Sequence, residues 1–250
     1  ARRGGRARRP TRPGAPAGPG ALPAAWADGS LHPEPIQPAG AAGRRPAEPT
    51  VRLDPEPAEL AMPSGPVLTN IRISPEVSEA MLKFVAPVLA GATQSEGLFS
   101  LQLDSARVPL GEPRAADSKG QLTVHSVRIS PGPMAAQWVG LAQQVEALAK
   151  RRDAASPTNR QVTLVSIRDQ QVNFQVANGR VYHQKMEFQV GDVILRSQGS
   201  VGFDETVSLM IEIPIQDAWV TKEPLLAGLK GQSVQIPVNG TLTKPQMDNR

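Results

Sequence analysis

The chain has 250 residues, 27 Lys+Arg against 23 Asp+Glu, no Cys, and only nine aromatic residues. The absence of Cys excludes disulfides, thiolate metal sites and cysteine nucleophiles. His32, His125 and His183 are too few and too scattered for a metal cluster, and no apolar run approaches the ~18 residues of a membrane-spanning helix.

The charge is unevenly spread. Residues 1–50 hold eight Arg, ten Pro, eight Gly and twelve Ala, with only Asp28, Glu34 and Glu48 as acids. Residues 51–250 are close to neutral, with 19 basic and 20 acidic groups. The basic character therefore belongs to the tail. Nucleic acid is not expected as a partner for a body without a basic face. Residues 1–66 read as a disordered Arg/Pro/Gly/Ala-rich tail, too poor in large apolar side chains to offset ordering entropy. The cluster Arg2, Arg3, Arg6, Arg8, Arg9 and Arg12 has no interleaved aromatic residue, so it reads as a solvated segment. The chain opens on Ala1 and not Met, which reads as a fragment or an incompletely defined start, with an N-terminal region and anchor missing from it.

The folded body is expected over 67–250. Val67, Thr69, Ile71 and Ile73 alternate as a strand. Ser74-Pro75-Glu76 then supplies an N-cap, a first-turn proline and a dipole-matched acid. Val77, Met81, Phe84 and Val88 predict a helix near 75–90 that buries this stripe, with Pro87 bending or ending it. Phe99, Leu101 and Leu103 form the next strand pattern, broken at Val108–Gly111. Leu122 and Val124 are out of phase with Val127 and Ile129, which predicts a β-bulge near His125-Ser126. Met134, Trp138, Leu141, Val145 and Leu148 predict a second helix near 133–151, with Lys150, Arg151 and Arg152 at its C-terminal end. Ile71–Pro75 and Val127–Pro131 echo one another, and each ends a strand pattern before a helix pattern, so two strand–helix units are expected.

From 161 onward the pattern is a ladder of strands. Val162 and Leu164 lead, followed by Val172, Phe174 and Val176. The turn Asn178-Gly179 tolerates positive φ at both positions. Met186, Phe188 and Val190 then precede Gly191-Asp192, and Val193, Leu195 and Val201, Phe203 flank a break at Gly199-Ser200. Val207, Leu209, Ile211, Ile213 and then Val234, Ile236, Val238 and Leu242 close the series. Short strands with short turns imply an antiparallel meander. The fold class is α+β, mainly β: a twisted antiparallel sheet with two amphipathic helices.

The sheet is one-sided, so its apolar face needs a cover. Five or six such strands present roughly 600 Å² on that face. Two helices, each covering a stripe ~10 Å wide, would cover most of it. Full cover gives an ordinary core without a ligand; partial cover leaves an apolar trough that suits acyl chains. Val172, Phe174, Val176, Met186, Phe188, Val190, Leu209, Ile211 and Ile213 are the candidates to line such a trough. Catalytic signals are thin. No Gly-x-Ser-x-Gly elbow occurs, Gly199–Gly202 precedes no helix, and Asp153 and Asp204-Glu205 are turn acids. Asn239-Gly240-Thr241 is a formal glycosylation sequon. No enzyme activity, metal or cofactor is expected.

Three stretches, Asn178–His183, Gly199–Leu209 and Ile236–Pro245, together resemble the C-terminal region of AsmA-like envelope proteins: a glycine-started hairpin, a Gly-Ser-Val-x-Phe-Asp strand pair and a closing Pro-Val-x-Gly-Thr-Leu-x-x-Pro. The likeness covers roughly 160–247 and, more weakly, 67–150. It implies a long trough of twisted antiparallel strands in a cell-envelope or periplasmic protein, membrane-anchored in a longer parent. It also implies phospholipid or another acyl-chain lipid as partner, a part in lipid transport or outer-membrane biogenesis, and envelope proteins as neighbours. The second reading is a structural or protein-interaction domain with a helix-covered core.

Overall fold

The computed structural model describes residues 24–27, 30–33, 49–54, 56–92, 94–149, 165–217, 220, 228 and 230–247, with side chains omitted for 24–27, 30–33, 141 and 145–149. Among these residues fourteen strands form one antiparallel sheet. The expectation of a disordered tail over 1–66 falls largely on residues outside this set. Where the segment is described, it carries strands β1 (Ala24–Ala27), β2 (Ser30–Pro33), β3 (Thr50–Arg52) and β4 (Glu59–Met62). Strand pairing thus begins before Val67: β1 to β4 pair in succession, and Met62 packs against the core.

Two strand–helix units follow. β5 (Gly65–Arg72) leads into α1 (75–85), and β7 (Asp117–Ile129) leads into α2 (Pro133–Ala149). Both strands flank β6 (Ser95–Pro109), whose far end also pairs with β4. Ser74 caps α1 as expected, its Oγ accepting from Val77 N at 3.3 Å, with Pro75 in the first turn. The buried stripe of α1 is shifted by one residue from the expected one. Ser78, Leu82 and Val85 are buried, whereas Val77, Met81 and Phe84 are half-buried. Both rows share the same spacing, and a π-helical segment at Ser78–Leu82 widens the buried side. Ala86 ends the helix, and Pro87–Leu89 is a 3₁₀ turn buried throughout.

The bulge expected near His125-Ser126 is present. Leu98 pairs with His125 but Glu96 pairs with Arg128, and Ser126 takes φ 44°. Gly97 opposite it has φ 144°, and a Cβ there would lie 2.6 Å from Val127 Cγ2. Only glycine lets the two strands close at this point.

The remaining strands are β8 (Val165–Ile167), β9 (Gln170–Ala177), β10 (Arg180–Val190), β11 (Val193–Gly202), β12 (Val207–Pro214), β13 (Ser233–Gly240) and β14 (Pro245–Met247). The expected start at Val162 and Leu164, the basic cluster at Lys150–Arg152, and the side chains of Leu141, Val145 and Leu148 lie outside the described set. β8 and β9 act as one interrupted strand between β7 and β10. Beside the interruption the Gln170 amide replaces a strand residue. Its Nε2 donates to Glu187 O, and its Oε1 accepts from Glu187 N. β10 carries its own bulge between His183 and Met186, which keeps both residues on one face.

Gly199-Ser200 does not break a strand, in contrast to the expectation. β11 runs through it, and Val193, Leu195, Ser197 and Val201 stay on the buried face. Gly199 takes φ 136°, and a Cβ there would lie 2.2 Å from Ser208 O. The glycine marks close strand contact rather than a turn.

The core lies between the apolar sheet face and the helices. Trp138, Met134, Leu82 and Val88 are fully buried against Phe99, Leu122, Ile129, Phe188 and Leu195 in one cluster. No described helix is long and apolar enough to cross a membrane.

Candidate functional site

The nine residues expected to line a trough do share one face. Val172, Phe174, Met186, Phe188, Val190, Leu209, Ile211 and Ile213 are all buried, none more than 8% exposed, and Val176 is half-buried against them. They belong to a closed core. A concavity lies on the opposite, polar face of the same strands.

There a groove of about 980 Å³ crosses the sheet from β6 to β13. Two neighbouring rows of outward-facing side chains build its floor. One row runs Lys119, Gln175, Tyr182, following the register of β7, β9 and β10. The next runs Asn173 and Gln184, with Gln121 beside Asn173 just outside the lining, and continues to Gln198, Met210 and Pro237 on β11, β12 and β13. Gln121 Nε2 donates to Asn173 Oδ1 at 3.1 Å, and Asn173 Nδ2 donates to Gln184 Oε1 at 3.4 Å, an amide chain across three strands. Asp104, Lys119 and Lys185 are the charged groups of the lining. Tyr182 is 42% exposed.

Alternation alone makes these residues outward-facing. Their gathering into a groove follows from sheet twist and from bulges in β6 at Asp104, in β7 and in β10, which bend the strands. Gly120 and Gly199 help by closing strands tightly. A Cβ on Gly120 would meet Gln102 O at 2.3 Å and the ring of Phe174 at 2.9 Å.

The histidines take structural positions. His183 is buried on the apolar side, its Nε2 3.1 Å from Ser197 Oγ, while Nδ1 has no partner. Burial among apolar groups pushes its pKa down to about 4, so the ring is neutral near pH 7. Both members of the pair are buried, and His183 also borders the groove described above. His125 Nε2 lies 3.0 Å from Ser100 Oγ, which also accepts from Asn70 N, so this ring braces the β5–β6–β7 edge.

The motifs that carry the AsmA-like resemblance span turns and the strand ends beside them. Asn178 and Gly179 take φ 52° and 69° between β9 and β10, as a tight hairpin requires. Arg180 clamps the β11–β12 turn, donating to Ser200 Oγ at 2.9 Å, Thr206 Oγ1 at 2.8 Å and both backbone carbonyls of those residues. The Thr206 hydroxyl, donating to Asp204, holds the Asp204 carboxyl below its ordinary range. Lys83 of α1 reaches Glu205 at 2.7 Å and Glu79 at 3.4 Å, and the Glu205 contact raises its pKa. Phe84 meets Phe203 edge-on, with centroids 6.2 Å apart. The turn is thus a docking point for α1. Gly240 takes φ 92° where a Cβ would lie 2.6 Å from Lys244 O, fixing the closing turn into β14. Asn239 of the sequon is exposed in β13. Comparison with family models, with curated proteins and with solved structures gave no match.

Proposed function

We propose that this chain is a non-enzymatic structural and interaction module of a cell-envelope protein, with a self-filled core in place of a lipid channel. The observation that carries the reading is the cover on the apolar sheet face. Trp138, Met134, Leu82 and Val85 occupy the space that acyl chains would take in an open trough, and each is buried. With the AsmA-like resemblance, the module would close the end of a lipid-bearing trough supplied by the rest of a longer, membrane-anchored parent. Its partners would be that parent's upstream strands and neighbouring envelope proteins, with phospholipid handled upstream of the plug.

The test is native purification followed by lipid extraction and mass spectrometry. The reading expects a cooperatively melting protein without stoichiometric lipid. One acyl-chain lipid per chain, retained through purification, would overturn it in favour of a lipid-holding groove.

A further inference from the structure

We propose that the groove on the polar sheet face is a binding site for an uncharged glycan chain. The proposal stands apart from how the apolar face is used, because it rests on the outward-facing side chains, although Phe174, His183 and Leu209 of the buried face also border the groove.

The first argument is chemical composition. Gln121, Asn173, Gln175, Gln184, Gln198 and Asn239 place six carboxamides on or beside the groove. Each carboxamide offers two donors and an acceptor, which matches the mixed donor–acceptor character of sugar hydroxyls. Gln175, Gln198 and Asn239 make no side-chain hydrogen bond among the described residues, so their capacity is open to a ligand. The amide chain from Gln121 through Asn173 to Gln184 fixes the orientation of the others. Pre-set polar groups lose less freedom on binding.

The second argument is the platform. Tyr182 is a large exposed aromatic at the centre of the floor, with Gln175 and Ser200 as its cross-strand neighbours. A ring with an apolar face and a polar tip suits a ligand that is itself apolar on one face and hydroxylated at its edge, as a pyranose is. Half-buried Met210 and Pro237 extend the apolar strip along the groove.

The third argument is charge. Among the described residues the lining holds one acid, Asp104, two lysines, Lys119 and Lys185, and no arginine. A site for phosphate or polyanion would be built on guanidinium forks or many cations. A groove crossing seven strands, at ~4.8 Å per strand, spans more than 20 Å, the length of a short oligomer rather than a single small molecule.

The experiment is isothermal titration of the full chain with cellohexaose and with chitohexaose, at 50 mM and at 500 mM salt. Variants Tyr182→Ala, Gln198→Ala and the double variant Lys119→Ala/Lys185→Ala are compared after their melting curves show an intact fold. The proposal expects one of the two hexasaccharides to bind with an affinity unchanged by salt. Tyr182→Ala should weaken it at least ten-fold, Gln198→Ala several-fold, and the lysine variant less than two-fold. Absence of binding to both sugars at millimolar concentration overturns the proposal. So does binding that is lost in high salt or in the lysine variant, which would mark an anion site. Binding untouched by Tyr182→Ala would place the sugar elsewhere and overturns it equally.

Discussion

The indole of Trp138 lies stacked on the ring of Phe188, with centroids 4.9 Å apart and planes 25° from parallel. This contact joins α2 to the middle of the sheet, and both residues are buried. Truncating a buried aromatic of this kind costs about 3–5 kcal/mol, through lost transfer energy and the cavity left behind. Trp138→Ala is therefore expected to lower the urea midpoint severely or to unfold the body. Trp138→Phe should cost much less. It keeps a ring on Phe188 and removes an indole Nε1 that has no hydrogen-bond partner. Chemical denaturation of both variants checks the pair. Equal losses would mean that a phenyl ring recovers neither the packing nor the stacking, so that only the full indole holds α2 in place.

His183 makes stability depend on pH in a defined window. The ring titrates at about 4 when folded, against an ordinary value of 6.5, because burial disfavours its charged form. Between these two values the unfolded chain binds more protons than the folded one, so stability rises with pH through that interval. The contribution is complete above pH 6.5 and is lost on acidification towards pH 4. A displacement of this size corresponds to ~3 kcal/mol. Denaturation at pH 7.5, 5.5 and 4.5 should show a steep loss in the parent protein and a flatter one in His183→Gln. Parallel slopes would assign the acid sensitivity to other groups.

Most of the strand content was legible because alternation survives wherever one face is buried, as in Val172, Phe174 and Met186, Phe188. The bulge at Ser126 was legible for the same reason, since a phase error in the alternation needs one extra residue. The shifted stripe of α1 was not. Ser78 interrupts the inner row, so the outer row of Val77, Met81 and Phe84 looked like the buried one. The groove was hidden for a different reason. Gln121, Asn173, Gln184 and Gln198 come from four strands, and only long-range register brings them side by side. Gly199 misled because glycine reads locally as a turn, while its actual constraint is Ser208 O on the neighbouring strand.

The glycines offer a sharper contrast. Gly97 takes φ 144° with Val127 pressed against the site of a Cβ, whereas a Cβ on Gly140 in α2 would meet nothing within 4 Å. Gly97→Ala should cost of order 1–3 kcal/mol from backbone strain, with the clash in addition. Gly140→Ala should stabilise by about 0.5–1 kcal/mol, because alanine is the better helix former. Thermal melts of the two variants should move in opposite directions. A neutral Gly97→Ala would show that the bulge at Ser126 relaxes without resistance.

Ile211 separates a closed core from an open trough most directly. It is fully buried and pairs with Ser197 on one side and Ile236 on the other. An aspartate in its place would be surrounded by apolar groups and would either ionise without a partner or take up a proton. Neighbouring Ser197 already engages His183 through its hydroxyl. Neither route leaves the fold intact at neutral pH, so Ile211→Asp should lose cooperative unfolding. Tyr182→Asp, on the polar face of the same sheet, should melt within a few degrees of the parent because its side chain already meets water. Circular dichroism melts of the two variants decide the matter. A cooperative melt for Ile211→Asp would mean that the carboxylate reaches water, which requires the helices to stand off from the sheet and reopens the trough to acyl chains.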